Sequence, residues 1–326
     1  MPPQRRRDGT PEEAGPGLRP GPGGRAAGNA AALPAATPAP ARARPAAAPP
    51  APDAARPRPR VTVLTTTRNA MPHLLEAVAS VQAQTMPDWE LLVVDDGSTD
   101  GTREAVRDAA AEDPRIRLLE TPPLGRIPCL NAGAQAARAG IIAILDADDV
   151  ALRHRLQRTL DAFGPRPRLG LLGSAIVPRI GPAGEDLGIV RRPTEPGQVL
   201  RALARDTPFF HSSTAFRIEA WRDVGGYDES LPLYEDYDLF VRLAARWEIE
   251  NLPEPLSLKR RHPGQAFHER HFTRQAFRAR SRIHWRYFRH VRKSPEALAR
   301  AAAFLIMPVW VKRWVDARQG GAGPSK

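Results

Sequence analysis

Short apolar runs alternate with amphipathic helical patterns through the middle of the chain. A β-branched run opens this series, and apolar residues three and four positions apart follow it. The pattern predicts strands over 61–65, 89–94, 116–119 and 141–145, with helices over 72–81, 102–111 and 127–138 between them. Each connection is long enough for a crossover, so we expect a mostly parallel, Rossmann-like α/β sheet with helices on both faces.

After residue 149 the pattern changes to shorter and less regular elements. It predicts helices over 152–163, 199–204, 218–224 and 234–245, and strands over 169–177, 212–216 and 249–258. The last of these strands contains Pro253 and Pro255. Because proline cannot donate a hydrogen bond to a neighbouring strand, we expect this strand at an edge of the sheet.

The first 60 residues show no apolar periodicity and contain 15 Pro, 17 Ala and 7 Gly. Such a composition buries too little apolar surface to offset the entropy of ordering the chain. We therefore expect three parts. Residues 1–60 form a disordered Pro/Ala/Arg-rich tail, residues 61–262 form the α/β domain, and residues 263–326 form a basic amphipathic helical arm.

The net charge of +12 is concentrated outside the α/β domain. Residues 259–293 hold twelve basic groups and one acid, and arginines recur every four residues from Arg270 to Arg286 beside Trp285 and Phe288. Interfacial aromatic and basic residues favour docking on an anionic membrane surface. The alternative is that the helices of the arm cover the sheet.

The chain shows no signal for export or for a membrane span. It contains no apolar run of about 20 residues, and no apolar segment follows the N-terminal arginines. The single cysteine, Cys129, fits a reducing compartment. We expect a cytoplasmic protein, with the arm as a possible peripheral attachment to the inner face of a membrane.

Acidic residues follow the central predicted strand. Asp146 and Asp148 lie two positions apart, so an extended backbone would aim both carboxylates the same way. Hard oxygen ligands at the end of a buried strand suit Mg²⁺ or Mn²⁺. The alternative is a solvated turn that caps a helix. Glu235 and Asp236 likewise have a structural alternative, because acids in a first helical turn suit the helix dipole.

Five phrases of the sequence, in order, resemble a family 2 inverting glycosyltransferase with the GT-A fold. The resemblance covers residues 61–262. The phrases are VTVLTTTRNAMPHLLEAVASVQAQT, WELLVVDDGSTDGT, CLNAGAQAARAGIIAILDADD, FRIEAWRDVGGYDESLPLYEDYDLFVRLA and NLPEPL.

The resemblance implies a donor site at the ends of the first strands. Thr66 and Asp96 correspond to residues that face the base, and Asp146 corresponds to a position near the ribose. Arg68 stands where the family often has a tyrosine that stacks on the base, which leaves the identity of the nucleotide open. Arg126 is a candidate for phosphate contact.

The resemblance also implies the metal and catalytic residues. Asp148 corresponds to the metal ligand for Mg²⁺ or Mn²⁺, and His262 is a candidate metal or phosphate ligand whose alternative is a surface histidine. Asp236 corresponds to the general base, and Glu235 supports it. Asp149 is expected to be structural.

The expected donor is a UDP- or dTDP-linked sugar, and the expected acceptor is a glycan or a lipid-linked molecule. Synthesis of cell-envelope polysaccharide or exopolysaccharide is the expected role. One alternative is a sugar-nucleotide pyrophosphorylase, although 65–69 lacks the glycine-rich phosphate loop of those enzymes. Another alternative is a non-catalytic protein that binds nucleic acid or a membrane through its basic arm. Of these two partners, nucleic acid is the one that we do not expect.

Overall fold

The sheet contains nine strands in the residues that the computed structural model describes, which are 58–180, 185–261 and 273–306. The strands are β1 (Val61–Thr67), β2 (Trp89–Asp96), β3 (Ile116–Thr121), β4 (Ile141–Ile144), β5 (Val150–Ala151), β6 (Leu169–Ile180), β7 (Glu185–Asp186), β8 (Ala215–Arg217) and β9 (Glu248–Arg261). The helices are α1 (His73–Gln82), α2 (Thr102–Glu112), α3 (Arg126–Ala136), α4 (Arg155–Phe163), α5 (Pro196–Leu203), a 3₁₀ turn (His211–Ser213), α6 (Ile218–Asp223), α7 (Glu235–Ala244), α8 (Arg274–His290) and α9 (Pro295–Ile306).

The strand directions bring most of the strand ends to one edge of the sheet. The order is β3-β2-β1-β4-β8-β6-β9-β5, with β7 paired to β6. The first four strands in this order are parallel, β8 is antiparallel to both of its neighbours, and β9 is parallel to β6. The carboxyl ends of β1, β2, β4, β6 and β9 therefore share one edge, which is where open α/β sheets bind ligands. The predicted α/β class with a mostly parallel sheet is confirmed.

Alternate residues of the central strands belong to two separate cores. On one face, α1, α2 and α4 cover Val63, Leu91 and Ala143. On the other face, α3 and α5 to α8 cover Leu64 and Ile144. Strands buried on both faces appear in a sequence as continuous apolar runs, which is why the pattern predicted them well.

A glycine sets how closely α3 approaches the sheet. A Cβ added at Gly133 would lie 2.3 Å from Leu64 Cδ1 and 2.9 Å from Val94 Cγ2. The backbone of α3 therefore lies directly on β1 and β2. This contact fixes the first turn of the helix, where Arg126 lies, over the carboxyl ends of those strands.

The prediction that the last strand lies at an edge is wrong. β9 lies between β6 and β5, and Leu258 pairs with Val150 of β5. Its register on β6 jumps from Leu252 opposite Ser174 to Pro255 opposite Ala175. Pro253 thus falls in a bulge, and a bulge exempts a proline from pairing just as an edge does.

The strand predicted over 212–216 is also wrong in its bounds. His211–Ser213 forms a 3₁₀ turn instead, and β8 begins at Ala215. The hydroxyl of Ser213 donates to the carbonyl of Phe210 at 3.0 Å, and that of Thr214 donates to the carbonyl of His211 at 2.7 Å. Short polar side chains that bond to the nearby backbone compete with strand pairing.

One face of α8 packs on the α/β domain. Thr273 caps the helix by accepting from the Ala276 N–H at 3.1 Å, and the Tyr287 hydroxyl donates to the carbonyl of Leu200 at 2.7 Å. Arg286 forms an ion pair with the fully buried Asp238 of α7. The expectation that the arm covers the domain therefore holds for this face, whereas the opposite face remains exposed at Arg274, Arg278, Arg282, Arg289 and Trp285.

Several expectations fall on other parts of the chain. The tail up to residue 57, residues 262–272 with the start of the predicted arm, and the segment after residue 306 lie outside the described residues. Within the described ranges, no helix combines the length and the apolar content that crossing a bilayer requires.

Candidate active site

Three of the predicted site residues emerge next to one another at the shared edge. Thr66 is the penultimate residue of β1, Asp96 ends β2, and Asp146 comes two residues after β4. The register pairs Thr66 with Val94 of β2, and β4 flanks β1 on its other side. Adjacent parallel strands thus bring together residues that lie up to 80 positions apart in the sequence.

Asp96 holds the loop that leads into α3. One of its carboxylate oxygens accepts from the N–H groups of Leu124 at 2.7 Å and Gly125 at 2.9 Å. The other oxygen lies 3.8 Å from Arg68 Nη1, and the Arg68 side chain is 57% exposed. An exposed pair at that distance contributes little to stability. Arg68 therefore lies beside Asp96 at the predicted base position.

A tight turn brings the three aspartates after β4 together. The Asp149 N–H donates to the carbonyl of Asp146 at 3.1 Å, and a carboxylate oxygen of each of Asp146, Asp148 and Asp149 lies within 4.8 Å of the other two. The sequence left an extended backbone and a turn open here, and the structure has the turn. The turn adds the buried Asp149, for which we expected a structural role, to the group. We call these residues the acidic triad.

Basic residues from later in the chain surround the acidic triad. Lys259 Nζ lies 3.3 Å from Asp149 Oδ2 and 3.5 Å from Asp146 Oδ2. The backbone N–H of Arg260 donates to Asp149 Oδ1 at 2.8 Å, and Arg260 Nε donates to the Asp148 carbonyl at 3.1 Å. Burial raises the pKa of Asp149 to about 6, against the attraction of Lys259.

Arg126 connects the acidic triad to α7. Its Nη2 lies 2.6 Å from Asp146 Oδ1, its Nε lies 3.1 Å from Glu235 Oε1, and its Nη1 lies 3.5 Å from Thr66 Oγ1. Burial would lower the pKa of Arg126, but Asp146 and Glu235 outweigh burial and raise that pKa above its ordinary value. Burial would also raise the pKa of Asp146, yet Arg126 and Lys259 hold it well below its usual range.

A buried histidine forms a hydrogen bond with Arg126. His211 Nδ1 lies 3.0 Å from Arg126 Nη2, and His211 Nε2 lies 2.9 Å from the Tyr227 hydroxyl. A guanidinium can only donate, so Nδ1 is the acceptor and Nε2 carries the hydrogen. Burial and the neighbouring Arg126 lower the pKa of His211 to about 4, which keeps the ring neutral at pH 7.

Glu235 and Asp236 form the first turn of α7. The helix begins after Tyr234, whose backbone is left-handed with φ at 66°. Asp236 Oδ1 accepts from the Tyr237 N–H at 2.7 Å. Burial and the adjacent Glu235 raise the pKa of Asp236 to about 7. A carboxylate that titrates near neutral pH is suited to accept a proton during a reaction.

The structure adds residues that the sequence pattern did not single out. Lys259, His211 and the buried Arg155 beneath the triad come from β9, the 3₁₀ turn and α4. Only the folded chain brings these positions to the edge, and a lysine or a histidine by itself carries no positional signal. His262, the predicted metal or phosphate ligand, lies outside the described residues.

The acidic triad fits a small divalent cation. Mg²⁺ binds oxygen ligands at about 2.0–2.1 Å, so oxygens on opposite sides of the ion are about 4.2 Å apart. One carboxylate oxygen from each of Asp146, Asp148 and Asp149 lies within 4.8 Å of the other two. This donor set consists only of carboxylates, which are the ligands that Mg²⁺ and Mn²⁺ prefer.

Known proteins share both the sequence and the fold. Residues 62–220 match the family described as Glycosyl transferase family 2. The chain is 31% identical over 222 residues to EpsE of Bacillus subtilis (strain 168), which is named as a glycosyltransferase. The aligned region covers 66% of this chain and 77% of EpsE. It is 30% identical over 203 residues to the O-antigen biosynthesis protein RfbC of Myxococcus xanthus, which covers 61% of this chain and 16% of RfbC.

Two solved structures share the architecture. The S. aureus TarS 1–349 complex with UDP-GlcNAc matches with a TM-score of 0.59 and 16% identity, over 76% of this chain and 70% of that chain. The mannosyltransferase PcManGT of Pyrobaculum calidifontis, in complex with GDP-Man and Mn²⁺, matches with a TM-score of 0.54 and 24% identity, over 82% of each chain. These likenesses confirm the GT-A fold that the resemblance implied.

The family match and the likeness to EpsE decide between the alternatives that the sequence left open. Neither the pyrophosphorylase nor the non-catalytic binding protein accounts for them. The chain belongs to glycosyl transferase family 2 and is a glycosyltransferase.

Proposed function

We propose that the protein moves a sugar from a nucleotide-diphosphate donor to an acceptor hydroxyl with inversion, using Mg²⁺ or Mn²⁺ at the acidic triad and Asp236 as the general base. One observation carries this proposal. The Arg126 guanidinium contacts Asp146 of the triad and Glu235, the neighbour of Asp236. A donor bound at the triad would therefore lie beside the first turn of α7.

The proposed reaction is a single displacement. The acceptor hydroxyl gives its proton to the Asp236 carboxylate while its oxygen forms a bond to the anomeric carbon of the sugar. The bond between that carbon and the diphosphate oxygen breaks, and the nucleoside diphosphate leaves with the electron pair. Attack from the face opposite the leaving group inverts the configuration. A pKa of about 7 for Asp236 keeps about half of the carboxylate ready to accept the proton at neutral pH.

The donor side is assigned to the ends of β1, β2 and β4. Thr66, Arg68 and Asp96 would hold the base, since a carboxylate can accept from the ring N–H of a pyrimidine. This favours a UDP- or dTDP-linked sugar. A divalent cation bound by the triad would supply positive charge for the departing diphosphate. Arg126 would add a fixed guanidinium on the same side.

The names of similar proteins support the same chemistry for donor and metal. TarS has been solved with UDP-GlcNAc, and PcManGT has been solved with GDP-Man and Mn²⁺. RfbC is named for O-antigen biosynthesis. We extend this to the present chain as synthesis of a cell-envelope or exopolysaccharide glycan, with a glycan or a lipid-linked acceptor.

We further assign the exposed face of α8 to an anionic membrane surface. That face carries Arg274, Arg278, Arg282 and Arg289 around Trp285, which is 44% exposed. Each basic residue near an anionic leaflet contributes about 1 kcal/mol before screening. Docking from the cytoplasmic side would bring the enzyme to a lipid-linked acceptor, and the buried thiol of Cys129 suits that reducing compartment.

The test is a donor screen with the full-length protein. UDP-, dTDP- and GDP-linked sugars are supplied with Mn²⁺ and a glycan acceptor, and the released nucleoside diphosphate is measured. We expect release from a UDP- or dTDP-linked sugar, loss of release in EDTA and recovery with Mn²⁺. The anomeric configuration of the product, read by NMR, tests inversion.

Matched variants separate a role in the site from a general effect. Asp148→Asn removes one triad charge with little change in shape, and Asp161→Asn makes the same change at an exposed position on α4. We expect turnover to fall at least about 100-fold in the first and to stay normal in the second, with similar melting temperatures. Full activity in EDTA would contradict the metal role. Absence of nucleoside diphosphate release with every donor would contradict the proposed reaction.

A further inference from the structure

Lys259 occupies the position in the acidic triad where a cation would be expected. Its ammonium lies between Asp146 Oδ2 at 3.5 Å and Asp149 Oδ2 at 3.3 Å. Three carboxylates within 4.8 Å of one another repel unless positive charge lies among them. Arg126 contacts the other oxygen of Asp146, so Lys259 is the cation on the side that Asp146 and Asp149 share.

The backbone of β9 fixes the position of Lys259 over the triad. Leu258, just before it, pairs with Val150, which follows the triad directly in the sequence. Just after it, the Arg260 N–H donates to Asp149 Oδ1 at 2.8 Å. The Cα of Lys259 is therefore held from both sides. Its side chain is 34% exposed and ends a flexible four-carbon stem, so the ammonium can move while the backbone stays in place.

An ammonium and a divalent cation compete for these carboxylates. A metal ion that binds Asp146 and Asp149 lies within about 2–2.6 Å of their oxygens. The Nζ of Lys259 contacts the same two side chains at 3.3 and 3.5 Å. The two positive charges would then lie within about 6 Å of each other, and like charges at that distance repel in a partly buried site. Entry of the metal would therefore weaken the attraction between the triad and the ammonium.

We propose that Lys259 is the resident counter-ion of the acidic triad, that a divalent cation displaces it, and that the displaced ammonium turns to the diphosphate of the donor. This inference rests on the proposed function for the identity of the metal and of the donor. It has a thermodynamic consequence. Metal alone has to compete with Lys259, whereas metal with a nucleoside diphosphate gives the ammonium a new partner. The metal and the diphosphate should therefore strengthen each other's binding.

The first experiment titrates Mn²⁺ alone into the full-length protein and follows the free ion by its EPR signal. Lys259→Gln removes the charge and keeps a polar side chain, and Lys259→Arg keeps the charge. Lys293→Gln is the matched control, because it removes the same charge from an exposed position after α8. Circular dichroism melts establish that all three variants fold.

We expect Lys259→Gln to bind Mn²⁺ at least about fivefold more tightly than the wild-type protein, which is the lower end of typical coupling between sites. Lys259→Arg and Lys293→Gln should bind Mn²⁺ like the wild type. Equal or weaker Mn²⁺ binding by Lys259→Gln overturns the inference, since it would mean that the lysine does not compete with the ion.

The second experiment repeats the titration with saturating UDP. In the wild type, UDP should tighten Mn²⁺ binding by a larger factor than it does in Lys259→Gln, because only the wild type has an ammonium to transfer to the diphosphate. If UDP increases Mn²⁺ affinity by the same factor in both proteins, the proposed movement of Lys259 toward the diphosphate is wrong.

These titrations need neither a sugar nor an acceptor, so they fail independently of the proposed reaction. A protein that releases UDP from a UDP-sugar but binds Mn²⁺ equally with and without Lys259 overturns this inference alone. Tighter Mn²⁺ binding by Lys259→Gln in a protein that transfers no sugar leaves the counter-ion role intact and overturns the proposed function.

Discussion

Two aspartates in the first turn of α7 have opposite surroundings. Asp238 is fully buried, its Oδ2 lies 2.7 Å from Arg242 Nε, and its other oxygen pairs with Arg286 of α8. Asp236, two positions earlier, accepts from the Tyr237 N–H at 2.7 Å. Burial and the neighbouring Glu235 raise its pKa to about 7.

The difference shows that one helix turn can place two aspartates in very different electrostatic environments. On the side of α7 that meets α8, two arginines form ion pairs with the carboxylate of Asp238. On the other side Arg126 binds Glu235, next to Asp236. Glu235 thus pairs with the nearby guanidinium, while burial and the charge of Glu235 raise the proton affinity of Asp236.

The largest effect is expected from Asp236→Asn. Removing a general base typically slows a reaction about 10²- to 10⁴-fold, and donor binding should be retained because the base acts on the acceptor. Sugar transfer and UDP binding are measured on the same preparation. A normal transfer rate would assign the base to another residue and remove the functional half of the comparison.

The matching change at Asp238 should act on stability instead. Asp238→Asn leaves Arg242 and Arg286 without their shared carboxylate, and breaking a buried pair typically costs about 3–5 kcal/mol. Urea unfolding followed by circular dichroism measures this loss. We expect Asp236→Asn to unfold no more easily than the wild type at pH 8. Equal unfolding midpoints for the two variants would contradict the assignment of distinct roles.

The pH dependence of the reaction tests the raised pKa of Asp236. Because the pKa of Asp236 is raised to about 7, its base form grows as the pH rises, and kcat/KM should increase through pH 7 and level off above about pH 8. The folded state holds this proton more tightly than the unfolded state does. The contribution of Asp236 to stability is therefore present at low pH and lost as the pH rises through 7. A flat rate profile between pH 6 and 8 would contradict the raised pKa.

The sequence predicted the part of the site that local patterns determine. Buried parallel strands show as apolar runs, and the residues after them share an edge, so Thr66, Asp96 and Asp146 were placed together correctly. The sequence left an extended backbone and a turn open after β4, and the chain forms a turn that brings Asp149 into the triad. A short acidic segment is compatible with both conformations, and the turn is held by tertiary contacts with Arg126, Ser212 and β9.

The remaining residues depend on tertiary contacts that a sequence pattern cannot show. Lys259 and His211 reach the site from β9 and from the 3₁₀ turn before β8. Proline is tolerated both in edge strands and in bulges, so Pro253 could not show from the sequence that β9 lies between two other strands. The arginine stripe of α8 was equally ambiguous. Arg286 faces a buried acid, whereas Arg278, two turns earlier, is exposed.

The smallest effect on stability is expected from substitutions on the exposed face of α8. These substitutions distinguish a role of that face in membrane docking from a purely structural role of the helix. Arg282 is 50% exposed and lies 4.0 Å from Asp228, a geometry that contributes at most about 1 kcal/mol. Changing Arg274, Arg278 and Arg282 to Gln together should therefore leave the unfolding midpoint nearly unchanged. If this face docks on a membrane, the same change should weaken sedimentation with anionic liposomes at low salt, since three charges near the surface are lost.

The control is a triple change of Arg103, Arg107 and Arg115 to Gln, which removes the same charge from the opposite face of the sheet. Equal loss of sedimentation in both triple variants would indicate attraction by net charge alone, and unchanged sedimentation in the α8 variant would leave α8 only its structural role beside Asp238.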